Sequence, residues 1–130
     1  MIVNFYSKIL SDNQNQNIVS FTAPLTFSQE IIDQIPTDVY ECANPENNEN
    51  IRIEVSGTET VTVFSGSSTL FFQLDKQVDN LYIRDKQEMY IQTHLKHFFY
   101  EKEKMVELQY DLYFQKNQLI GSYVVKMEIN

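Results

Sequence analysis

The stretch Val106–Ile129, VELQYDLYFQKNQLIGSYVVKMEI, decides the fold class. Successive side chains of a strand point to opposite faces, so a half-buried strand reads apolar, polar, apolar. Val106, Leu108, Tyr110, Leu112 and Phe114 fall on one face, and Glu107, Gln109, Asp111, Tyr113 and Gln115 fall on the other. A second run follows at once, with Leu119, Gly121, Tyr123, Val125, Met127 and Ile129 on one face and Ser122, Lys126 and Glu128 opposite. The polar link Lys116-Asn117-Gln118 predicts an antiparallel hairpin, Asn117 being the residue that best tolerates positive φ there.

The same period recurs upstream. Ile51, Ile53 and Val55 alternate with Arg52 and Glu54, and after Ser56-Gly57 come Val61 and Val63 against Thr60, Thr62 and Phe64. Leu70, Phe72 and Leu74 form the next face, Leu81 and Ile83 begin another strand, and Met89, Ile91, Thr93 and Leu95 continue beyond the charged turn at 84–87. The first third is less regular. Val3, Phe5 and the Ile9 region predict a strand ended by the polar tract at 12–17, and Ile18–Phe21 resumes it. In Thr26–Ile35 helical and strand spacings compete; the neighbouring strands favour a strand, with one helical turn before Pro36. Val39–Cys42 is a further short strand, and Ala43–Asn50 (ANPENNEN) reads as a loop. The sum is an all-β chain of about eight to ten strands without a long helix. Hairpin-length links favour a closed antiparallel meander barrel, because closure removes bare edges and leaves an interior able to hold side chains or one small ligand.

A chain of 130 residues and 15.3 kDa is the size of one domain, and the expectation is a single unit over 1–130. With 42% hydrophobic and 13% aromatic residues the composition is that of a folded chain. Eighteen acids against ten bases, net −8, oppose a phosphate backbone or an anionic membrane, so neither nucleic acid nor membrane is expected as partner. The charge is uneven: residues 1–65 carry nine acids and two bases, whereas 66–130 carry nine and eight. An acidic first half suits either a cationic partner or a solvated surface. The single cysteine, Cys42, excludes an intrachain disulfide, a cysteine zinc cluster and a CxxC motif. Met1–Leu10 lacks the apolar core of a secretory signal, and no apolar run reaches the length of a membrane span, which places the expected setting in the cytoplasm.

Two runs, IRIEVSGTETVTVFSGSSTLFFQL (Ile51–Leu74) and YIQTHLKHFFYEKEKMVELQYDLYFQKNQLIGSYVVKMEI (Tyr90–Ile129), with Thr93 and Leu95 after an alternating strand and LQYDLYFQKNQLIG at Leu108–Gly121, resemble the YwiB-like family of small uncharacterised bacterial proteins. The resemblance covers residues 50–130 and is looser before them. It implies a closed, lipocalin-type (calycin) barrel in a bacterial cytoplasm with capacity for a ligand, and it carries no activity to transfer. The family often has an arginine where this chain reads Phe64-Ser65-Gly66 and a glycine near Gln87, so a site built on that arginine is not expected here.

Residues able to carry chemistry are few. His94 and His97, three apart, point to opposite faces of a regular strand and cannot share a metal, so no metal is expected. The acid pairs Glu101/Glu103 and Glu107/Asp111 could raise one another's pKa for acid–base work, with Tyr110 or His97 in support. Eighteen acids make such pairs inevitable, however, and HExxH, GxSxG and phosphate-loop motifs are absent. Cys42 reads as a small buried residue. The expectation is therefore a non-enzymatic barrel, without cofactor, that binds a small apolar or amphipathic ligand. Arg52, Tyr110 and Tyr123 are its candidate ligand-binding residues, Arg52 serving as an anion anchor if turned inward and as a salt-bridged surface residue if turned outward. The alternative is an interaction or structural module with a packed interior. Aromatics on both faces at Phe71/Phe72, Phe98/Phe99/Tyr100 and Tyr110/Tyr113/Phe114 point to a homodimer.

Overall fold

Alternating Val, Ile, Phe and Tyr make almost every segment a strand. The computed structural model describes residues 1–10, 18–66, 68–84, 86–115 and 118–130. Its strands are β1 (Ile2–Ile9), β2 (Ile18–Pro24), β3 (Thr26–Ile32), β4 (Ile35–Ala43), β5 (Asn50–Ser56), β6 (Thr60–Ser65), β7 (Ser68–Gln73), β8 (Gln77–Arg84), β9 (Gln87–Glu101), β10 (Met105–Phe114) and β11 (Gln118–Ile129). The contested segment at 26–35 is a strand. Its expected helical turn is instead a two-residue hairpin turn with positive φ at Asp33 (50°) and Gln34 (68°), the primed geometry that matches strand twist. The polar tract at 12–17 and the turn residues Lys116 and Asn117 lie outside the described residues. The strands on either side of each pair antiparallel, with Lys8 opposite Ile18 and Phe114 opposite Gln118.

The closed barrel, and with it the lipocalin-type closure, is not what forms. The strands make two antiparallel sheets, one of six strands in the order β2-β1-β11-β10-β9-β8 and one of five in the order β3-β4-β5-β6-β7. The chain changes sheet twice, and at neither change do the flanking strands form a ladder. At the first, Pro24 ends β2 without an N–H to donate, and the next N–H, of Leu25, is given to Met1 O at 2.9 Å. At the second, the turn around Asp75, whose φ is 59°, carries two isolated bridges, a parallel one between Leu74 and Leu95 of β9 and the antiparallel Gln73↔Lys76. Beyond those bridges the buried Asn80 of β8 stands in for a strand. Its Oδ1 accepts from Phe71 N at 2.7 Å, and its Nδ2 donates to Phe71 O (3.3 Å), Val78 O (3.1 Å) and Thr93 Oγ1 (3.3 Å). Hairpin-length links are satisfied by two facing meanders as well as by a ring, which is why alternation alone does not require closure.

The inner faces of the two sheets pack one core, including Val3, Phe5, Phe21, Tyr40, Ile51, Ile53, Val61, Phe72, Leu95, Leu108 and Met127. Each full burial of such a side chain is worth about 1.5–3 kcal/mol, so this interface carries the fold. Cys42 is buried in it, and burial pushes its thiol up to about 11, which keeps it protonated and unreactive near neutrality.

Two bulges alter the faces read from the sequence: one on β11, where Leu112 pairs with Gly121 and Tyr113 with Leu119, takes Leu119 off the Gly121 face, and the other is on β9. Gln109 pairs with His97 and Tyr110 with Leu95, so Lys96 is the extra residue on β9. The inserted residue restores phase, and His94 and His97 share the outer face rather than opposing ones. Among the described residues no group of three His, Cys, Asp or Glu is placed to hold a metal.

Candidate functional site

Alternation turns Tyr110 of β10 and Tyr123 of β11 inward, and register sets them directly opposite one another. Their rings stack at 5.4 Å between centroids with 17° between planes, and Phe72 of the facing sheet packs on Tyr110 at 4.6 Å and 58°. Such contacts add roughly 0.5–1.5 kcal/mol beyond area burial. Gly121, two residues before Tyr123 on the same face, supplies the room: a Cβ there would stand 3.0 Å from the Tyr123 hydroxyl and 3.2 Å from two ring carbons. Replacing Gly121 by alanine should push the Tyr123 ring off Tyr110. The expected result is a weakened tyrosine signal in near-ultraviolet circular dichroism and a loss of about 1 kcal/mol in urea unfolding.

These tyrosines line a partly enclosed cavity of about 250 Å³ between the sheets. Its floor is apolar, formed by Phe5 and Val125 from one sheet and Ile51, Val63 and Leu70 from the other. Ser7, Ser65 and Ser68 add hydroxyls, and Asn44, Asn47 and Glu49 of the loop between β4 and β5 complete the wall. Phe5, Ile51 and Val125 are buried whereas Val19, Asn47 and Glu49 are exposed, so the polar loop side is the mouth. Among the described residues neither the Tyr110 nor the Tyr123 hydroxyl has a hydrogen-bond partner. Burial raises the pKa of both, the nearby Tyr123 adding to the effect on Tyr110, so both stay protonated donors at neutral pH.

The loop at the mouth holds itself in shape. Asn44 Oδ1 accepts from Glu46 N and Asn47 Oδ1 from Glu49 N, both at 2.9 Å, and Asn44 N donates to Glu49 O at 2.9 Å. These are local side-chain turns of the kind asparagine favours. The Glu49 carboxylate lies over Gly66, where a Cβ would fall 1.9 Å from Oε1; with φ at 59° Gly66 also occupies the left-handed region that glycine tolerates best.

Arg52 lies elsewhere. It alternates to the outer face of the five-stranded sheet, bonded to Glu54 through Nε (2.8 Å), to Glu41 through Nη1 (2.8 Å) and to Glu30 through Nη2 (3.5 Å). It is the salt-bridged surface residue of the two readings and contributes nothing to the cavity. The acid pairs are not assembled for catalysis either. Glu101 is exposed and pairs with Lys104 at 3.4 Å. Asp111 is buried on the outer face, where burial alone would raise its pKa. Bonds from Lys96 (2.6 Å), Ser122 (2.6 Å) and Tyr113 (3.1 Å) outweigh that and hold it below the usual carboxylate range. A carboxylate so held is a poor proton acceptor. Tyr110 points inward while His97 points outward, so those two do not meet.

Sequence reading reached Tyr110 and Tyr123 but missed Glu49, Ser65 and Ser68. The available signals were the asparagine-rich loop itself and the serines at the facing ends of β6 and β7, Ser65 and Ser68, where an aliphatic residue would continue the pattern.

No protein-family model and no curated protein matches the chain in sequence. Among solved structures it is similar to the crystal structure of the ywiB protein from Bacillus subtilis, at a TM-score of 0.58 and 16% identity over 99% of this chain and 90% of that one. The likeness is one of fold: this chain has a YwiB-like fold, over nearly its whole length rather than over residues 50–130 alone.

Proposed function

We propose that the protein binds a small amphipathic molecule in the cavity between its two sheets. The observation that carries this reading is a pair of stacked tyrosines that line an apolar cavity and whose hydroxyls have no partner among the described residues. An acceptor on a bound molecule that meets either hydroxyl adds a hydrogen bond worth about 1 kcal/mol. The cavity has the composition of a ligand site, apolar walls with a few convergent polar groups, and at about 250 Å³ it suits a ligand smaller than a typical drug. The net charge of −8 favours a small molecule over nucleic acid.

Native mass spectrometry of protein purified from its host tests this by reporting any small molecule that travels with it. A co-purifying species that is lost on replacing Tyr110 by phenylalanine supports the cavity. A species that survives in a Tyr110→Phe, Tyr123→Phe double variant removes the tyrosines from the site. We expect Tyr110→Phe to weaken binding about fivefold while leaving the fold intact, since one hydrogen bond to a neutral partner is worth about 1 kcal/mol.

A second reading is an interaction module. Leu10, Ile18, Val19, Leu119 and Ile120 are each 39% or more exposed, on strand ends near the cavity mouth. An apolar rim of this kind suits a second copy of the chain. Sedimentation equilibrium decides between a monomer and a dimer, and native mass spectrometry gives the subunit number in the same measurement as the ligand.

A further inference from the structure

We infer that the polar end of the cavity's ligand is cationic, an ammonium group carried on a small apolar or aromatic body. The inference rests on the proposed ligand-binding reading and adds the charge. Glu49 is the sole carboxylate among the lining residues and sits at the mouth. Its main chain is fixed at both N–H and C=O by Asn47 and Asn44, so the side chain springs from a rigid point. No cation stands within 4.0 Å of it among the described residues, whereas Glu30, Glu41 and Glu54 on the outer face all share Arg52. Gly66 leaves the space that the Glu49 carboxylate occupies. The other charged residue at the cavity, Lys8, alternates with Phe5 and Ser7 to the outer face of β1, beside Tyr6 and Val124. The inner surface therefore offers one negative charge and several hydroxyls, a set that attracts an ammonium group through Coulomb attraction and accepts its hydrogen bonds.

Three probes of nearly equal size separate charge from shape: 2-phenylethylamine, 2-phenylethanol and phenylacetate, titrated into the intact protein while amide shifts are followed by NMR. The expected order is amine first, alcohol about fivefold weaker and carboxylate weakest, since a partly exposed ion pair contributes a factor of that size. Glu49→Gln should erase the preference for amine over alcohol without changing the alcohol's affinity. Gly66→Ala, which displaces the carboxylate and leaves its charge in place, should reduce the same preference. If the alcohol and amine bind the wild-type cavity equally, or the carboxylate binds best, the charge inference is overturned while the binding reading stands. If none of the three shifts resonances of cavity residues at millimolar concentration, both are overturned.

Discussion

Replacing Asn80 by leucine should lower stability by about 3 kcal/mol or more, the largest loss expected from any single polar side chain in this fold. Leucine keeps the branching and heavy-atom count of the asparagine side chain but is bulkier, so overpacking adds to the loss of the hydrogen bonds. Asn80 is 2% exposed, and its amide forms a reciprocal pair with the Phe71 peptide, accepting from N and donating to O, as a strand neighbour would. Leucine leaves the Phe71 N–H without that acceptor, an orphaned part-buried donor at the seam between the sheets. Phe71 O keeps a partner, because Thr93 Oγ1 donates to it at 2.5 Å. Thr93→Val should therefore cost less, about 1 kcal/mol. Urea unfolding of the two variants and of the double variant checks this. The double variant should lose less than the sum of the singles, because Asn80 and Thr93 also bond one another at 3.3 Å. A loss under 1 kcal/mol for Asn80→Leu would mean that the bridges Gln73↔Lys76 and Leu74↔Leu95 and the packing of Phe72 hold the seam without it.

The same seam marks where sequence reading stops. The strands were legible because their signal is local: Ile51, Ile53 and Val55 against Arg52 and Glu54 fix both the strand and its inner face, and the structure keeps every one of those orientations. Closure is decided at two corners, by whether Pro24 and Asp75 let neighbouring strands continue a ladder, and a period of two carries no information about that. Asn80 reads in sequence as one more polar residue in a loop-like run, yet it is the side chain that replaces the missing ladder. The bulge at Lys96 was equally silent, and it reversed the relative placement of His94 and His97. Of the site, Tyr110 and Tyr123 could be found because alternation puts each on the apolar face of its run. Glu49 could not, since its position depends on a loop folding over the end of two sheets whose separation was itself not foreseen.

Tyr100→Phe should cost about 2 kcal/mol at neutral pH and progressively less in acid. Tyr100 belongs to a hydrogen-bonded chain that ties the sheets together through Tyr40 and Asp38 of β4. Glu103 N donates to Tyr40 Oη at 2.9 Å, the two hydroxyls are 2.7 Å apart, and Tyr100 Oη donates to Asp38 Oδ2 at 2.6 Å. Because the Tyr100 proton is committed to Asp38 and the Tyr40 oxygen accepts from Glu103, the proton between the phenols belongs to Tyr40. Removing the Tyr100 hydroxyl thus strips Asp38 of one donor and leaves the fully buried Tyr40 with an unpaired proton. The acid dependence follows from Asp38. Burial would raise its pKa, but bonds from Tyr100 and Gln29 and the charge of Lys102 at 3.7 Å outweigh burial and lower it. A carboxyl with a lowered folded pKa contributes stability that is present above its unfolded pKa of about 3.9 and lost as pH falls through the folded value. The wild type should accordingly surrender this contribution below about pH 4, and the variant, whose Asp38 is less depressed, should surrender less. At the alkaline end burial raises both phenols, with Asp38 reinforcing the effect on each, so the native fold should lose stability as pH rises above about 10, where the unfolded phenols ionise first. Urea midpoints for wild type and variant at pH 7, 5 and 3 test the acid limb. A gap that stays constant over that range would show that Tyr100 stabilises by packing against Phe98 and Tyr40 rather than through the Asp38 carboxylate.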